Sequence, residues 1–100
     1  MMTDMPVDAN RELVLDANAV AGLLEEVFGT EMTAEPVECA GCGSRMEVGT
    51  LMAFTRGPGI VLRCAACTGV VLRIVQTPEF TYLDARGARV LRLRRRPARG

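Results

Sequence analysis

ECAGCGSR (residues 38–45) and RCAACTGV (residues 63–70) each place two cysteines three positions apart, Cys39 with Cys42 and Cys64 with Cys67. The chain has no other cysteine and no histidine. Zinc takes a tetrahedron of ligands with sulfur about 2.3 Å away, and one C-x-x-C turn supplies two of its corners. A second such turn, returned by a hairpin, supplies the other two. The 21 residues between Cys42 and Cys64 suffice for two strands and a turn. The spacing stands about at the upper edge of the common template for paired C-x-x-C zinc sites. Gly43 follows the first pair, where a knuckle needs positive φ. Thr68 holds the equivalent place in the second, with Gly69 one step later, so a looser second knuckle is expected.

Working outward from the thiols, one structural zinc ion per chain on Cys39, Cys42, Cys64 and Cys67 is the leading expectation. Four sulfur corners close the site and leave no position for a catalytic water. Paired disulfides, a redox-active C-x-x-C and a rubredoxin-like iron centre are the alternatives. No signal of secretion favours disulfides. Neither pair opens a helix in a βαβ unit, where such thiols gain reactivity. Rubredoxin-type proteins shield their iron with clustered aromatics, whereas Phe28, Phe54, Phe80 and Tyr82 are spread along this chain.

A staple is also expected on energetic grounds. The 100 residues are 49% hydrophobic but include no Trp, and small domains bury a smaller share of their surface. Structural zinc in finger peptides contributes about 10–16 kcal/mol, as much as a whole domain's stability of about 5–15 kcal/mol.

Three segments follow from periodicity: a tail over 1–12, a single domain over 13–93 and a basic tail over 94–100. LDANAVAGLLEEVFG (15–29) reads as the one helix, with Val20, Leu23, Leu24, Val27 and Phe28 on one stripe. Asp16 is its expected N-cap, Leu15 and Val20 a hydrophobic staple, and Gly29 its left-handed end. Gly22 in mid-helix suggests a close helix–sheet contact. RMEVGTLMAFT (45–55), IVLRC (60–64) and GVVLRIVQ (69–76) read as strands, the last as the central one, with RGPG (56–59) as a turn. FTYLD (80–84) and ARVLRL (88–93) read as a hairpin about Gly87 in positive φ. The fold class is therefore α+β: a zinc ribbon with an antiparallel sheet of about five strands and one N-terminal helix packed on it.

Charge is segregated. Residues 1–38 carry nine acids against Arg11, and residues 39–100 carry eleven arginines against Glu47, Glu79 and Asp84, so a net charge of zero hides about −8 and +8. Either a polar partner or an acidic segment lying over a basic one accounts for this. All twelve basic residues are Arg, which reads first as codon usage and second as guanidinium chemistry. The N-terminus lacks the pattern of a signal peptide, and no apolar run is long enough to span a bilayer, so a cytoplasmic protein without a membrane partner is expected.

The helix LDANAVAGLLEEVFGTEMT, the paired CAGCG and CAACTGVVLRIV, and the ending YLDARGARVLRL together resemble a family of small bacterial proteins of unknown function, described as zinc ribbons. The resemblance covers residues 13–93 and implies Cys39, Cys42, Cys64 and Cys67 as zinc ligands. It implies no activity.

Three functions are compatible with these features. A non-catalytic module that docks on a protein partner fits the closed site, and the absence of His, Lys and a phosphate-binding Gly-rich loop argues against an enzyme. A nucleic-acid-binding ribbon would use Arg92, Arg94, Arg95 and Arg96, although the low pI of about 6.2 opposes it. An iron electron carrier is the third. GVVLRIV offers apolar surface on both faces, which either a homodimer or the C-terminal hairpin would cover.

Overall fold

The computed structural model of the chain describes residues 14–95. The expected tail over 1–12 and Arg96 with the residues after it lie outside the described residues. Among the described residues, eight strands and one α-helix follow in the order β1 (Val14–Asp16), α1 (Ala21–Phe28), β2 (Pro36–Cys39), β3 (Arg45–Glu47), β4 (Met52–Phe54), β5 (Gly59–Arg63), β6 (Val70–Gln76), β7 (Thr81–Asp84) and β8 (Ala88–Leu91). They form a five-stranded antiparallel sheet, β1-β4-β5-β6-β7, and a three-stranded one, β3-β2-β8. The α+β architecture with one helix and five sheet strands is thus present, with a second small sheet beside it.

The apolar stripe places α1 as its periodicity predicts. Leu24 is fully buried, and Val20, Val27 and Phe28 pack partly buried against the same core as Leu62, Leu72 and Ile74. The helix starts later than residue 15, however. Val14–Asp16 pairs with β4, Ala17–Val20 is a 3-10 turn, and the α-helical residues begin at Ala21. The edge of β4 offers Val14 and Leu15 a strand ladder, which a first helical turn with its unpaired N–H groups cannot match. Asp16 still caps, its carboxylate accepting the Asn18 N–H at 3.2 Å. Gly29 ends the helix at φ 78°. Leu15 is 39% exposed, a strand residue and no helical staple. Gly22 makes no close helix–sheet contact, since a Cβ added there meets nothing within 4 Å.

Residues 45–55 do not form one strand. β3 pairs with β2 in the small sheet, β4 pairs with β1 and β5 in the large one, and no straight strand can serve both. The chain turns between them through a 3-10 segment, Val48–Thr50, in which Val48 and Gly49 are buried. Gly49 suits the tight packing there, because a Cβ would lie 3.0 Å from the Thr33 carbonyl oxygen and would displace the Asn18 side chain. β4 and β5 form the expected hairpin over RGPG, and Gly57 takes φ 98°.

The expected hairpin over 80–93 splits in the same way. β7 pairs with β6, whereas β8 pairs with β2 in the other sheet. Asp84 Oδ1 accepts the Arg86 N–H at 3.0 Å, which turns the chain away from β7. Gly87 is not among the glycines of positive φ. It is needed for close approach, because a Cβ would fall 1.8 Å from the Val70 carbonyl oxygen. β6 lies between β5 and β7, inside the sheet, with β5 at its midpoint. Val71, Leu72 and Ile74 of β6 are buried within the chain itself.

The core is made of Leu, Val, Ile, Met, Ala and two cysteines, without an aromatic. Two glycine substitutions separate the physical roles. Gly22→Ala, in an open helical position, is expected to raise stability by about 0.5–1 kcal/mol. Gly87→Ala is expected to lower it by about 1–3 kcal/mol, because backbone must move. Denaturant midpoints of the two variants check both signs.

Candidate metal centre

Each cysteine pair caps one turn, and the two turns belong to different sheets. Cys39 ends β2 and Cys42 lies in the loop to β3, while Cys64 and Cys67 occupy the loop from β5 to β6. The pairing slips just before each knuckle, between Glu38 and Cys39 against β8 and between Leu62 and Arg63 against β6. Such bulges re-aim the following side chain. They turn both leading cysteines toward the seam of the sheets.

The knuckles are built alike. Cys39 N–H donates to the Ser44 carbonyl at 2.9 Å and Gly43 N–H to the Cys39 carbonyl at 2.8 Å. In the second turn, Cys64 N–H donates to the Gly69 carbonyl and Thr68 N–H to the Cys64 carbonyl, both at 2.8 Å. Thr68 therefore adopts φ 65°, the counterpart of Gly43 at φ 80°. The expected looser second knuckle is instead a copy of the first, with a β-branched residue in a left-handed position that costs about 1–3 kcal/mol. Arg63 offsets part of this by donating from Nη1 to the Thr68 carbonyl at 2.9 Å. Backbone N–H groups of Ala66 and Gly69 point at Cys64 Sγ and Cys67 Sγ, at 3.3 and 3.4 Å.

All four sulfurs lie within 4.8 Å of one another. Cys39 Sγ stands 3.7 Å from Cys67 Sγ, and Cys42 Sγ 3.8 Å from Cys64 Sγ. Four sulfurs placed about 2.3 Å from a central ion have tetrahedral edges of about 3.8 Å. The close contacts run between the pairs, and all four cysteines are free thiols. Cys39 and Cys64 are buried, and Cys42 and Cys67 exposed. The four soft donors at this separation could hold one metal ion.

Electrostatics agree with an ion-binding role. The Ser44 hydroxyl, 3.2 Å from Cys42 Sγ, and the Ser44 backbone pull the Cys42 thiol down to about 6. For Cys67 the Gly69 N–H works in the same direction, but the adjoining Cys39 thiol, burial, and Cys42 and Cys64 together push it up to about 11. Four adjacent sulfurs cannot all carry charge unless a cation sits among them. Ser44, Arg63 and Thr68 thus serve the site although the cysteine pattern does not name them. The signal for Ser44 was its place two residues after Cys42.

Arginines in and just after β8 meet carboxylates. Arg92 Nε donates to Glu35 Oε1 at 2.9 Å, and Arg94 Nε lies 3.5 Å from Glu35 Oε2. Glu35 is only 2% exposed. Arg45 and Arg89 flank Glu38 at 3.7 and 3.4 Å. The acidic and basic halves of the sequence therefore meet within the fold. Arg95 is exposed, and Arg96 lies outside the described residues.

The chain belongs to a family of unknown function (DUF6510), whose family model matches residues 8–96. No curated protein and no solved structure matches the chain. Among the described residues no helix is long and apolar enough to cross a membrane.

Two outcomes are expected from this geometry. Thr68→Gly relieves the left-handed strain and should raise the stability of the metal-loaded protein by about 1 kcal/mol, measured as a shift in denaturant midpoint. Cys67 holds its proton at pH 7 and a bound metal requires its thiolate, so metal addition should release protons. A pH indicator in weak buffer reads that release, and metal affinity should fall as pH is lowered.

Proposed function

We propose that the four cysteines hold one structural zinc ion and that the protein is a small, non-catalytic binding module. The sulfur separations carry this reading, since they match a tetrahedron of thiolates about the size zinc requires. Bound zinc would neutralise the thiolates and leave no open coordination position. Cys39 and Cys42 would hold it from the small sheet, Cys64 and Cys67 from the large one. Ser44, Ala66 and Gly69 would share the sulfur charge through their hydrogen bonds.

Iron in a rubredoxin-like site uses the same ligands. Zinc is favoured because Phe54 belongs to β4, Phe80 to the residue before β7, Tyr82 to β7 and Phe28 to α1, so the knuckle loops contain no aromatic to shield iron. Free thiols suit a reducing compartment, and the cytoplasm is the proposed location. A closed site supports a module whose surface meets its partner while the metal keeps the sheets together.

Metal content per chain, on protein purified without added metal, tests the reading together with a visible spectrum. One zinc per colourless chain is expected, and a strong chelator should abolish the native far-UV spectrum. Iron with visible bands would replace the module by an electron carrier. A metal-free protein whose four thiols titrate freely while its spectrum stays native would overturn the reading.

A further inference from the structure

The register of the five-stranded sheet separates two faces. Ala53, Leu62, Leu72 and Ile74 point into the core. On the opposite side the pairing aligns Phe54 with Val61, Val61 with Arg73 and Arg73 with Asp84 in one row. Beside that row stand Met52 with Arg63, and Val75 with Tyr82. Directly paired residues share a face, so Phe54, Arg63, Arg73 and Tyr82 lie together on the side away from α1. Phe80 is two residues before Tyr82, and their ring centroids are 6.1 Å apart. Three of the chain's four aromatics therefore belong to this side, with Phe80 and Tyr82 59% and 58% exposed. The core of a domain this small contains none.

Guanidinium groups are interleaved with these rings. Arg63 lies over the Phe54 ring, 5.5 Å from its centroid. Arg56 and Arg73 line a shallow cleft of about 220 Å³ with Val61 and Val75. A second cleft of about 220 Å³ adjoins it across Arg73 and reaches Arg86. Among the described residues, Arg45, Arg86, Arg89, Arg92 and Arg94 have carboxylate partners, and Arg56, Arg63, Arg73 and Arg95 have none within salt-bridge distance. Three of those four belong to this face. Its Asp84 is held by Arg86 at 2.6 Å, and its other acid, Asp16, stands on the far edge strand opposite Met52. A chain of zero net charge thus presents one positive, aromatic surface.

We propose that this outer face of the large sheet binds single-stranded nucleic acid. Tyr82, Phe80 and the Arg63–Phe54 stack supply planes for unpaired bases, and Arg56 and Arg73 supply charge for phosphates between them. Stacking needs no base-specific geometry, because every base has a π-face. A sheet with exposed aromatics suits splayed bases and has no element to enter a duplex groove. The inference rests on the reading of the protein as a binding module. It places nucleic acid here and not at Arg92 and Arg94, which Glu35 already occupies.

The test uses the full metal-loaded chain and a fluorescein-labelled 12-nucleotide RNA of mixed sequence in 50 mM salt, read by anisotropy. Single-stranded DNA and the duplex of the same sequence run in parallel. Saturable binding of single strands, weaker for the duplex, is expected, and the RNA and DNA arms tell which sugar is preferred. Tyr82→Ala should weaken binding roughly 5- to 100-fold. Arg56→Gln with Arg73→Gln should also lower the slope of log affinity against log salt by about 1.4. Arg95→Gln should change neither. These side chains are exposed, and the salt dependence of the unaltered protein needs no variant at all.

No binding by folded protein that carries its metal would overturn the sheet-face site while leaving the zinc reading intact. Equal binding of duplex, or binding lost in Arg95→Gln and kept in Tyr82→Ala, would overturn it as well. So would a dimer in light scattering that Tyr82→Ala dissociates, since the face would then belong to a second copy. Metal content and far-UV spectra on the same samples separate each of these from failure of the metal centre.

Discussion

Four sulfurs at the seam between two sheets are the constraint on which the arrangement depends. The chain passes from the large sheet to the small one after β1, returns at β4, and crosses again to β8. Neither sheet is built from one continuous segment, so something must fix them together. The β2–β3 turn brings Cys39 and Cys42 to the seam, and the β5–β6 turn brings Cys64 and Cys67. Without a cation, four adjacent thiols hold their protons unequally, as the opposite displacements of Cys42 and Cys67 express. With one, the same cluster becomes a cross-link of about the strength of a small domain's whole stability.

Two other contacts close the same seam. Ala40 N–H, in the first knuckle, donates to the Gly87 carbonyl at 2.8 Å, while Gly87 packs directly on Val70 at the start of β6. One glycine therefore touches both cysteine-bearing regions, which explains why no side chain fits there. Farther along, buried Glu35 holds Arg92 and Arg94. A buried carboxylate is costly unless paired, so this contact fixes where the chain goes after β8.

The aromatic residues follow from the same economy of size. Leu, Val, Ile, Met and Ala fill the core, and a layer this thin has little room for rings. Phe54, Phe80 and Tyr82 stay on the outer sheet face, and Phe28 is only partly buried. The sheet face away from α1 therefore keeps its rings exposed, with Phe80 and Tyr82 the most open of them.

Some of this was legible in the sequence because it is local. C-x-x-C spacing decides which sulfurs can converge, Leu24, Val27 and Phe28 of the predicted stripe decide the buried side of α1, and Gly29 decides its end. Charge segregation left a polar partner and acid meeting base inside the fold equally open, and it did not identify Glu35. The partition of strands between sheets was not legible, since RMEVGTLMAFT and YLDARGARVLRL have equally good strand composition on either side of their turns. Strand propensity says nothing about which edge a strand joins. Tertiary structure decided that, through bulges before each knuckle, the close approach at Gly87 and the turn at Val48–Thr50. It also decided which arginines meet carboxylates and which remain on the open face, because the pairs of Arg89, Arg92 and Arg94 with Glu38 and Glu35 span more than 50 residues of chain that no local pattern records.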